Sequence, residues 1–483
     1  MRGVLHGDHA VATVSGVDRR GRREGSIVSV VERANTTLVG RLFDDEGIAY
    51  VVPDNKRITQ NILIPGEMFE KESSGQIVKV EITTQPTKRK QMVGKVVGVI
   101  GDHMAPGMEI EIAIHNHAIP YEFSDEVVSQ ANNFGADVRE NDKSDRVDLR
   151  DLYLVTIDGL DARDFDDAVY CEPRDNGWKL IVAIADVAHY VEIDSALDTE
   201  AYDRATSVYF PGRVIPMLPE ALSNGLCSIN PDVDRLCMVC EMFVNKQGEI
   251  DSYDFKEAVM RSHARLTYTQ VAEALEAEDT GEITADVYPH IVNLNEMYKA
   301  LDSARTKRGT IEFDTTETVI HFTDDKRIDS IKPSVRNDAH KIIEECMISA
   351  NVCAAKFIAK SKRPCLYRVH EEPADEKIDD LRGFLSDLDL RLGAPSRKIA
   401  SSDYAELSSI IKQREDYHMI QTLMLRSMKQ AIYKSENSGH FGLALTHYAH
   451  FTSPIRRYPD LLVHRAIKHI VCLLYTSPSP RDI

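Results

Sequence analysis

The stretch VTIDGLDARDFDDAVY, residues 155–170, joins an apolar run to an unusual density of negative charge. Five aspartates fall within ten positions, namely Asp158, Asp161, Asp164, Asp166 and Asp167. Inside this segment only Arg163 offsets them at neutral pH, and carboxylates this close repel one another. The segment is therefore either a loop exposed to water or a loop that binds a cation.

The residues before the aspartates predict where this loop lies. LYLVTI, residues 152–157, is typical of a β-strand, so Asp158 is expected at the carboxyl end of that strand. The following GLDARDFDD resists regular structure, which lets four of the aspartates fold back towards one another. Mg²⁺ takes a few carboxylates together with water and substrate phosphates. Two such ions about 4 Å apart can support hydrolysis of a phosphodiester.

Other interpretations of the acidic run stay open at this level. A solvated acidic loop needs no ligand at all. An EF-hand calcium loop fits poorly, because flanking helices and a glutamate at the twelfth position are missing. A phosphatase with an aspartate nucleophile would need Asp-x-Asp spacing, whereas Gly159 and Leu160 follow Asp158.

Length and composition are those of an ordinary globular protein. The 483 residues suffice for two or three domains, with 43% apolar and 28% charged residues. No apolar stretch approaches the roughly 20 residues that span a bilayer, and no signal peptide is recognisable. Eight spread cysteines favour a reducing cytoplasm, and the lack of a bilayer-length apolar stretch predicts no membrane partner. The net charge of −19 argues mildly against a nucleic-acid partner.

The pattern along the chain predicts an α+β fold. HAVATV and SIVSVVE indicate two strands joined by a basic turn, and five further short strands up to about residue 100 suggest a small barrel or sandwich. The polar segment that follows fits a linker with one short helix. Beyond it, strands alternate with helices predicted over residues 337–361, 415–433 and 460–471.

Two further segments carry candidate binding residues. HFTSPIRRYPD places Arg456 and Arg457 just before a predicted helix that has Pro459 in its first turn. A helix amino terminus favours anions, and arginines can bind a phosphate there, although either could instead pair with a carboxylate. In TSVYFPGRVIPMLP, Tyr209 precedes a Pro-Gly turn, where its ring could stack on a base or pack in the core.

Several blocks together resemble one family. TIDGLDARDFDDAVY, VAIADVAHYV, RNDAHKIIEECMISAN and HFTSPIRRYPDLLVHRAIK are similar to signature blocks of the ribonuclease II/R (RNB) family of exoribonucleases. The resemblance extends over essentially residues 1–471. It implies small cold-shock/OB β-barrels followed by a large mixed α+β RNB catalytic domain.

The resemblance also implies domain boundaries. Residues 1–34 would form the carboxyl-terminal part of a first cold-shock domain, 35–120 a second one, 121–147 a linker and 148–471 the RNB domain. The Pro- and Ser-rich residues 472–483 do not fit the family's continuation and are expected to be a non-native tail. Longer family members have further domains on both sides, so the chain is expected to be a fragment truncated at both ends.

Roles for single residues follow from the same resemblance. The expected ligands of Mg²⁺, or alternatively Mn²⁺, are Asp158, Asp167, Asp164 and Asp166. The expected catalytic residues are Asp166, Asp164 and Arg456. The expected RNA-binding residues are Tyr209, which would stack on the last base, Arg456 and Arg457. Asp161 matches no functional position of the family.

The function implied by the resemblance is processive 3′→5′ hydrolysis of RNA, including structured RNA, to nucleoside 5′-monophosphates. The expected partner is the single-stranded 3′ end of an RNA, bound by a monomer, and the sequence does not identify which protein partners it has. The alternative is an RNA-binding fragment that truncation has made catalytically inactive. The complete acidic cluster argues against a vestigial site.

Overall fold

The computed structural model describes residues 3–19, 21–66, 74–87, 89–313, 317–394 and 397–476. The chain divides into two compact units. The first comprises Met1–Glu122, Phe210–Arg213 and Val319–Lys332. The second comprises Phe123–Tyr209, Val214–Thr318 and Pro333–Ile483.

The first unit contains a strand pair and a closed barrel. The pair is β1 (His9–Val17) and β2 (Arg23–Glu32), antiparallel and exposed along its length. The barrel has the order β3-β4-β5-β7-β6, with strands β3 (Thr37–Asp45), β4 (Ile48–Pro53), β5 (Ile62–Ile64), β6 (Gln76–Thr84) and β7 (Met92–Asp102). Alternate residues such as Leu42, Val51 and Val78 fill its interior. The short barrel predicted from the sequence is confirmed, and helix α1 (Met108–Asn116) follows it.

The second unit is built on a seven-stranded mixed sheet with the order β16-β9-β10-β11-β14-β15-β8. Its strands are β8 (Val147–Asp148), β9 (Val155–Asp158), β10 (Asp167–Arg174), β11 (Gly177–Ala185), β14 (Asp234–Asn245), β15 (Ile250–Arg261) and β16 (Ala264–Thr267). Three strand pairs lie outside this sheet. They are β12 (Val208–Phe210) with β13 (Arg213–Ile215), β17 (Thr318–Phe322) with β18 (Ile328–Pro333), and β19 (Tyr367–Val369) with β20 (Ile432–Lys434). The first two pairs contain the segments Phe210–Arg213 and Val319–Lys332 that are assigned to the first unit. The neighbouring strands β9 and β10 are antiparallel, so the loop between them lies at one end of the sheet.

The helices of the second unit cover both faces of this sheet or pack into a separate core. They are α2 (Asp125–Asn132), α3 (Glu140–Lys143), α4 (Val187–Tyr190), α5 (Ala196–Arg204), α6 (Tyr268–Ala277), α7 (Tyr288–Arg308), α8 (Asp338–Lys360), α9 (Asp375–Ser386), α10 (Ser401–Ile411), α11 (Tyr417–Ser427) and α12 (Tyr458–Thr476). On one face α7, α8 and α12 share a core with the sheet, and on the other α2 and α5 share a core with a π-helical turn, Ala221–Leu226. The α8 helix begins where the Asn337 side chain accepts the His340 N–H, and its helically spaced apolar residues face the sheet.

Several expectations from the sequence differ from this structure. The helix predicted over residues 415–433 ends at Ser427, and Ile432–Lys434 form β20 because this segment pairs with β19. The polar segment expected as a linker over residues 121–147 carries α2 and α3, and Val127, Ala131 and Val138 pack into the core of the second unit. Apolar residues spaced along a helix decide its packing, even where the surrounding sequence is polar.

The carboxyl-terminal helix extends beyond the predicted range. The α12 helix continues past Val471 to Thr476, so it includes the first residues of the segment expected as a non-native tail. Residues 477–483 of that segment lie outside the described residues. None of the helices in the described ranges combines the length and hydropathy of a bilayer-spanning segment.

Candidate active site

The acidic loop, residues 158–167, connects β9 to β10 and presents its aspartates at the end of the sheet. Asp158 is the last residue of β9 and Asp167 is the first of β10. Asp166 is buried, with 4% of its surface exposed. Asp164 is half-buried, whereas Asp161 is exposed. The structure therefore separates Asp161 from the other four, as the family resemblance implied.

Burial and, to a lesser extent, mutual repulsion raise the pKa values of the clustered carboxylates. Burial, with smaller contributions from Asp166 and Asp164, raises the pKa of Asp158 to about 7. Burial and the neighbouring Asp158 raise the pKa of Asp167 to about 8. Burial raises the pKa of Asp166 as well, against the opposing effect of Arg456. A site with these properties gains from a bound cation, which stabilises the charged carboxylates.

Backbone contacts from two other segments hold the acidic loop. The Ser228 hydroxyl donates to the Arg163 carbonyl at 2.8 Å and accepts the Phe165 N–H at 3.0 Å. On β16, the Arg265 guanidinium donates to the carbonyls of Leu160 and Ala162 at 2.7 and 3.1 Å. Sequence reasoning missed Ser228 and Arg265, because they act on backbone groups and carry no motif of their own. Together they fix the loop that positions the carboxylates.

Replacing Ser228 with alanine tests this positioning. Ser228→Ala leaves the buried Phe165 N–H and the Arg163 carbonyl without their partner, so we expect the free energy of unfolding to fall by about 1–3 kcal/mol. The loosened loop should also bind Mn²⁺ several-fold more weakly. Urea unfolding and a Mn²⁺ titration followed by electron paramagnetic resonance measure the two effects.

The matched control is Ser408→Ala, another buried serine that donates to a backbone carbonyl, that of Glu312 at 3.1 Å. It should lower stability and leave Mn²⁺ affinity unchanged. Equal Mn²⁺ affinities for the parent and Ser228→Ala would show that the serine does not position the carboxylates.

Asp166 is held by the arginine loop, residues 453–457, which precedes α12. The Ile455 N–H donates to Asp166 Oδ1 at 2.9 Å. The Arg456 Nε lies 3.5 Å from Asp166 Oδ2, which is an ion-pair distance and too long for a strong hydrogen bond. The Arg456 Nη2 also donates to the Ser453 hydroxyl at 3.0 Å. The structure thus brings Arg456 to the acidic loop, with much of its guanidinium available for another anion.

Arg457 has a different environment from Arg456. Its Nη2 and Nε donate to Asp460 at 2.7 and 2.9 Å, and Asp460 also accepts the Ser453 N–H at 2.8 Å. Burial alone would lower the pKa of Arg457, but the contact with Asp460 raises it overall. The Arg457–Asp460 pair therefore closes the turn that carries Arg456. Of the two alternatives that the sequence left open for each arginine, Arg457 therefore shows the pairing with a carboxylate.

Tyr209 lies beside the acidic loop and keeps an exposed ring. Its side chain is 51% exposed, and its hydroxyl donates to Asp164 Oδ2 at 2.8 Å. It belongs to β12, because residues 208–210 pair with β13 ahead of the Pro-Gly turn. An exposed ring tethered to the carboxylate cluster offers a flat surface for stacking.

The residues of the acidic loop fit a hard divalent cation. Asp158 Oδ2 and Asp166 Oδ2 are enclosed and have no hydrogen-bond partner among the described residues. Carboxylate oxygens are the ligands that Mg²⁺ and Mn²⁺ prefer. In the described part of the chain, however, no three His, Cys, Asp or Glu side chains form a ready-made metal site. The carboxylate chemistry and these two enclosed oxygens without hydrogen-bond partners favour a metal.

The fold and this site together define a class of protein. Its members combine a cold-shock-type barrel with a mixed sheet, and the end of that sheet carries clustered aspartates beside an arginine. Two families match accordingly. The RNB domain matches residues 146–472, and the cold shock domain matches residues 50–124. The chain belongs to the RNB family, as its sequence blocks had indicated.

Individual relatives agree with this assignment. The chain is 54% identical over 473 residues to ribonuclease R of Vibrio parahaemolyticus, covering 98% of this chain and 56% of that protein. It is 53% identical to ribonuclease R of Escherichia coli K12, covering 98% and 58%. A structure of Mycoplasma genitalium RNase R in complex with ribose-methylated single-stranded RNA matches with a TM-score of 0.93 at 30% identity, over 99% of this chain and 76% of that one. The chain therefore spans a little over half the length of these two curated relatives.

Proposed function

We propose that the chain is a Mg²⁺-dependent, processive 3′→5′ exoribonuclease that releases nucleoside 5′-monophosphates. The observation that carries this proposal is the cluster of Asp158, Asp164, Asp166 and Asp167, with Arg456 3.5 Å from Asp166, in a chain of the RNB family. Ribonuclease R relatives at 53–54% identity support RNA as the substrate. We include structured RNA with a free 3′ end, a monomeric state and a cytoplasmic location in the proposal.

The aspartates and the arginine of the site have different tasks in this reaction. Asp158, Asp164, Asp166 and Asp167 would hold Mg²⁺, or alternatively Mn²⁺. When bound, the metal supplies charge neutralisation and a water of lowered pKa for attack on the phosphodiester. Arg456 binds the non-bridging oxygens of the scissile phosphate, where the negative charge grows during attack. The Ile455 N–H keeps Asp166 Oδ1 occupied, so Oδ2 faces the reaction.

Stacking on Tyr209 positions the terminal nucleotide. Every base has a π-face, so the ring accepts any 3′-terminal base and degradation does not depend on sequence. Because the hydroxyl of Tyr209 is tied to Asp164, the ring is held at a constant distance from the carboxylates. The scissile phosphate is therefore always one nucleotide from the end, which gives mononucleotide products.

Tyr209→Ala should leave cleavage intact and increase the length of the final RNA product. Loss of stacking removes about 1–3 kcal/mol per base, so short RNAs dissociate before they are degraded fully. Denaturing gels of 5′-labelled RNA measure the product length. Tyr209→Phe loses the hydroxyl bond to Asp164 but keeps the ring that retains short RNAs by stacking, so its final product should have the parental length. An unchanged length for Tyr209→Ala would exclude the stacking role.

The barrel of the first unit has the features of a surface for single-stranded RNA. Phe43 and Tyr50 stack with ring centroids 5.5 Å apart, and the Arg41 guanidinium lies 5.1 Å from the Phe43 ring. Arg89 and Lys90 line a shallow groove together with Tyr50. Stacking rings with adjacent cations are typical of sequence-tolerant binding by OB-folds. This surface would hold the body of the RNA.

A second candidate function is RNA binding without hydrolysis. The observation that favours it is that no three potential ligand side chains among the described residues converge as a ready-made metal site. The enclosed oxygens of Asp158 and Asp166, which accept no hydrogen bond among the described residues, favour the enzyme instead, because a protein that only binds RNA gains nothing from enclosing them.

The direction of degradation tests the proposed function. The purified 483-residue chain is incubated with Mg²⁺ and a linear RNA labelled at its 5′ end, beside a circular RNA of the same sequence. We expect the linear RNA to shorten from its 3′ end with few intermediates and the circular RNA to persist. Cleavage of the circle, or release of the label as the first product, would contradict exonucleolytic 3′→5′ activity.

A further inference from the structure

We propose that Arg368, Tyr433 and His450 form a second nucleic-acid contact, which binds a phosphodiester of the same strand upstream of the scissile bond. This inference rests on the proposed function and extends it to three residues that no sequence motif singled out. The Arg368 guanidinium would pair with the phosphate, while His450 would donate one hydrogen bond to the strand.

Three extended segments place these residues side by side. Arg368 on β19 is directly opposite Tyr433 on β20. On the other side of β19, the Arg368 N–H donates to the Tyr448 carbonyl at 2.9 Å, and Tyr367 forms a bridge with Ala449. His450 follows this bridge and leads within three residues to the start of the arginine loop. The contact is therefore built on the same segment of chain that carries Arg456.

The side chains of the three residues are joined into one surface. The Arg368 guanidinium lies 4.7 Å from the centroid of the Tyr433 ring. The Tyr433 hydroxyl and His450 Nδ1 are 2.7 Å apart. All three side chains are half-buried, so the group is formed before a ligand arrives. Preformed contacts of this kind cost little ordering entropy on binding.

Arg368 has no acidic partner among the described residues. No carboxylate among the described residues forms an ion pair with it. The nearest acidic residues in sequence are engaged elsewhere, Glu371 with Lys429 and Lys434, and Glu372 with Lys398. By contrast, Arg457 is paired with Asp460 and Arg456 lies beside Asp166. A half-buried guanidinium with no carboxylate and a ring on one face is a ready site for phosphate.

His450 contributes a neutral hydrogen-bond donor. Burial, together with Arg457 and Arg368, lowers its pKa to about 2, so the imidazole stays neutral at physiological pH. When the Tyr433 hydroxyl donates to Nδ1, the proton of the ring is on Nε2. That Nε2 has no acceptor among the described residues. It can therefore donate to a phosphate oxygen or a ribose hydroxyl.

The order of contacts along the strand follows from the position of Arg456. Tyr209 donates to Asp164 of the acidic loop, and Arg456 lies 3.5 Å from Asp166 of the same loop, whereas His450 lies three residues before the first residue of the arginine loop. With the terminal base on Tyr209 and the scissile phosphate at Arg456, the strand continues on the side of His450. The phosphodiester at Arg368 is thus upstream of the bond that is cleaved.

Salt-dependent RNA binding tests the contact. All proteins carry Asp166→Asn to prevent cleavage, and the Kd of a 5′-fluorescent oligoadenylate is measured over a series of KCl concentrations. Arg368→Gln should weaken binding about tenfold and reduce the slope of log affinity against log salt by about 0.7, the value for one lost phosphate contact to a single strand. Arg368→Lys should retain the slope. His450→Ala should weaken binding without changing the slope.

The control is Arg139→Ala, which removes another arginine that lies over an aromatic ring, 5.9 Å from the Phe134 centroid, and whose guanidinium donates to the Asn133 carbonyl. It should leave both the Kd and the slope unchanged. A parental slope for Arg368→Gln, or an equal loss for Arg139→Ala, would overturn the contact while leaving the proposed function in place. If the Asp166→Asn parent does not bind RNA at all over the whole series of salt concentrations, the proposed function is wrong. The proposed contact is then wrong as well.

Discussion

Asp166→Asn should reduce RNA hydrolysis by about 10³-fold and leave RNA binding nearly unchanged. The amide keeps the size of the carboxylate and can still accept the Ile455 N–H, but it removes the negative charge that would hold the metal and the attacking water. Single-turnover cleavage of 5′-labelled RNA with saturating Mg²⁺ measures the rate, and fluorescence anisotropy measures the affinity.

Asp161→Asn provides the matched control for this prediction. Asp161 belongs to the same run of sequence, yet its side chain is exposed. The substitution removes the same charge at nearly the same place and should leave the rate within about twofold of the parent, as is usual for surface substitutions. A parental rate for Asp166→Asn would show that the catalytic assignment is wrong.

Mg²⁺ should stabilise the protein more at about pH 8.5 than at about pH 6. The pKa values of Asp158 and Asp167 are raised from the ordinary 3.8 to about 7 and about 8. The folded protein therefore binds more protons than the unfolded chain. The stability that these neutral carboxyls contribute is fully present below about pH 4 and is lost as the pH rises through 7 to 8. We expect that Mg²⁺, when bound, would replace the protons and restore this stability.

Thermal unfolding with EDTA or with saturating Mg²⁺ at the two pH values measures this effect. An ion at 100 times its Kd stabilises by about 2.7 kcal/mol, so we expect Mg²⁺ to raise the Tm by several degrees at the higher pH. At the lower pH, protons compete with the ion and the gain should be clearly smaller. Asp158→Asn should reduce the difference between the two pH values. Equal Mg²⁺ gains at both pH values would contradict the raised pKa values.

The fold could be predicted from the sequence wherever a local pattern decided it. Alternation in the first 100 residues indicates the barrel, and the apolar run before Asp158 places that residue at a strand end. The predicted helix over residues 415–433 failed at its end, because pairing with β19 converts Ile432–Lys434 to a strand. Pairing between distant segments overrides local propensity, and it cannot be recognised from the sequence of the short segment itself.

The candidate site was predictable in its charged residues but not in what positions them. Asp158, Asp164, Asp166 and Asp167 stand out because like charges are rarely placed so close together. The Ile455 N–H, which holds Asp166 from 289 positions away, is a backbone group that any residue would supply. Ser228 and Arg265 likewise act through carbonyls and an N–H of the acidic loop. Such contacts depend on tertiary structure and have no signature in a single sequence.

The most direct test of the account combines binding and hydrolysis in one experiment. The chain is first saturated with RNA in EDTA, unbound RNA is removed, and excess Mg²⁺ is then added while nucleoside 5′-monophosphates are followed by chromatography. If the chain is a metal-dependent exoribonuclease, we expect stable binding in EDTA and prompt release of monophosphates from the 3′ end after Mg²⁺ is added. RNA that stays bound and intact with either Mg²⁺ or Mn²⁺ would contradict it and favour a protein that binds RNA without cleaving it.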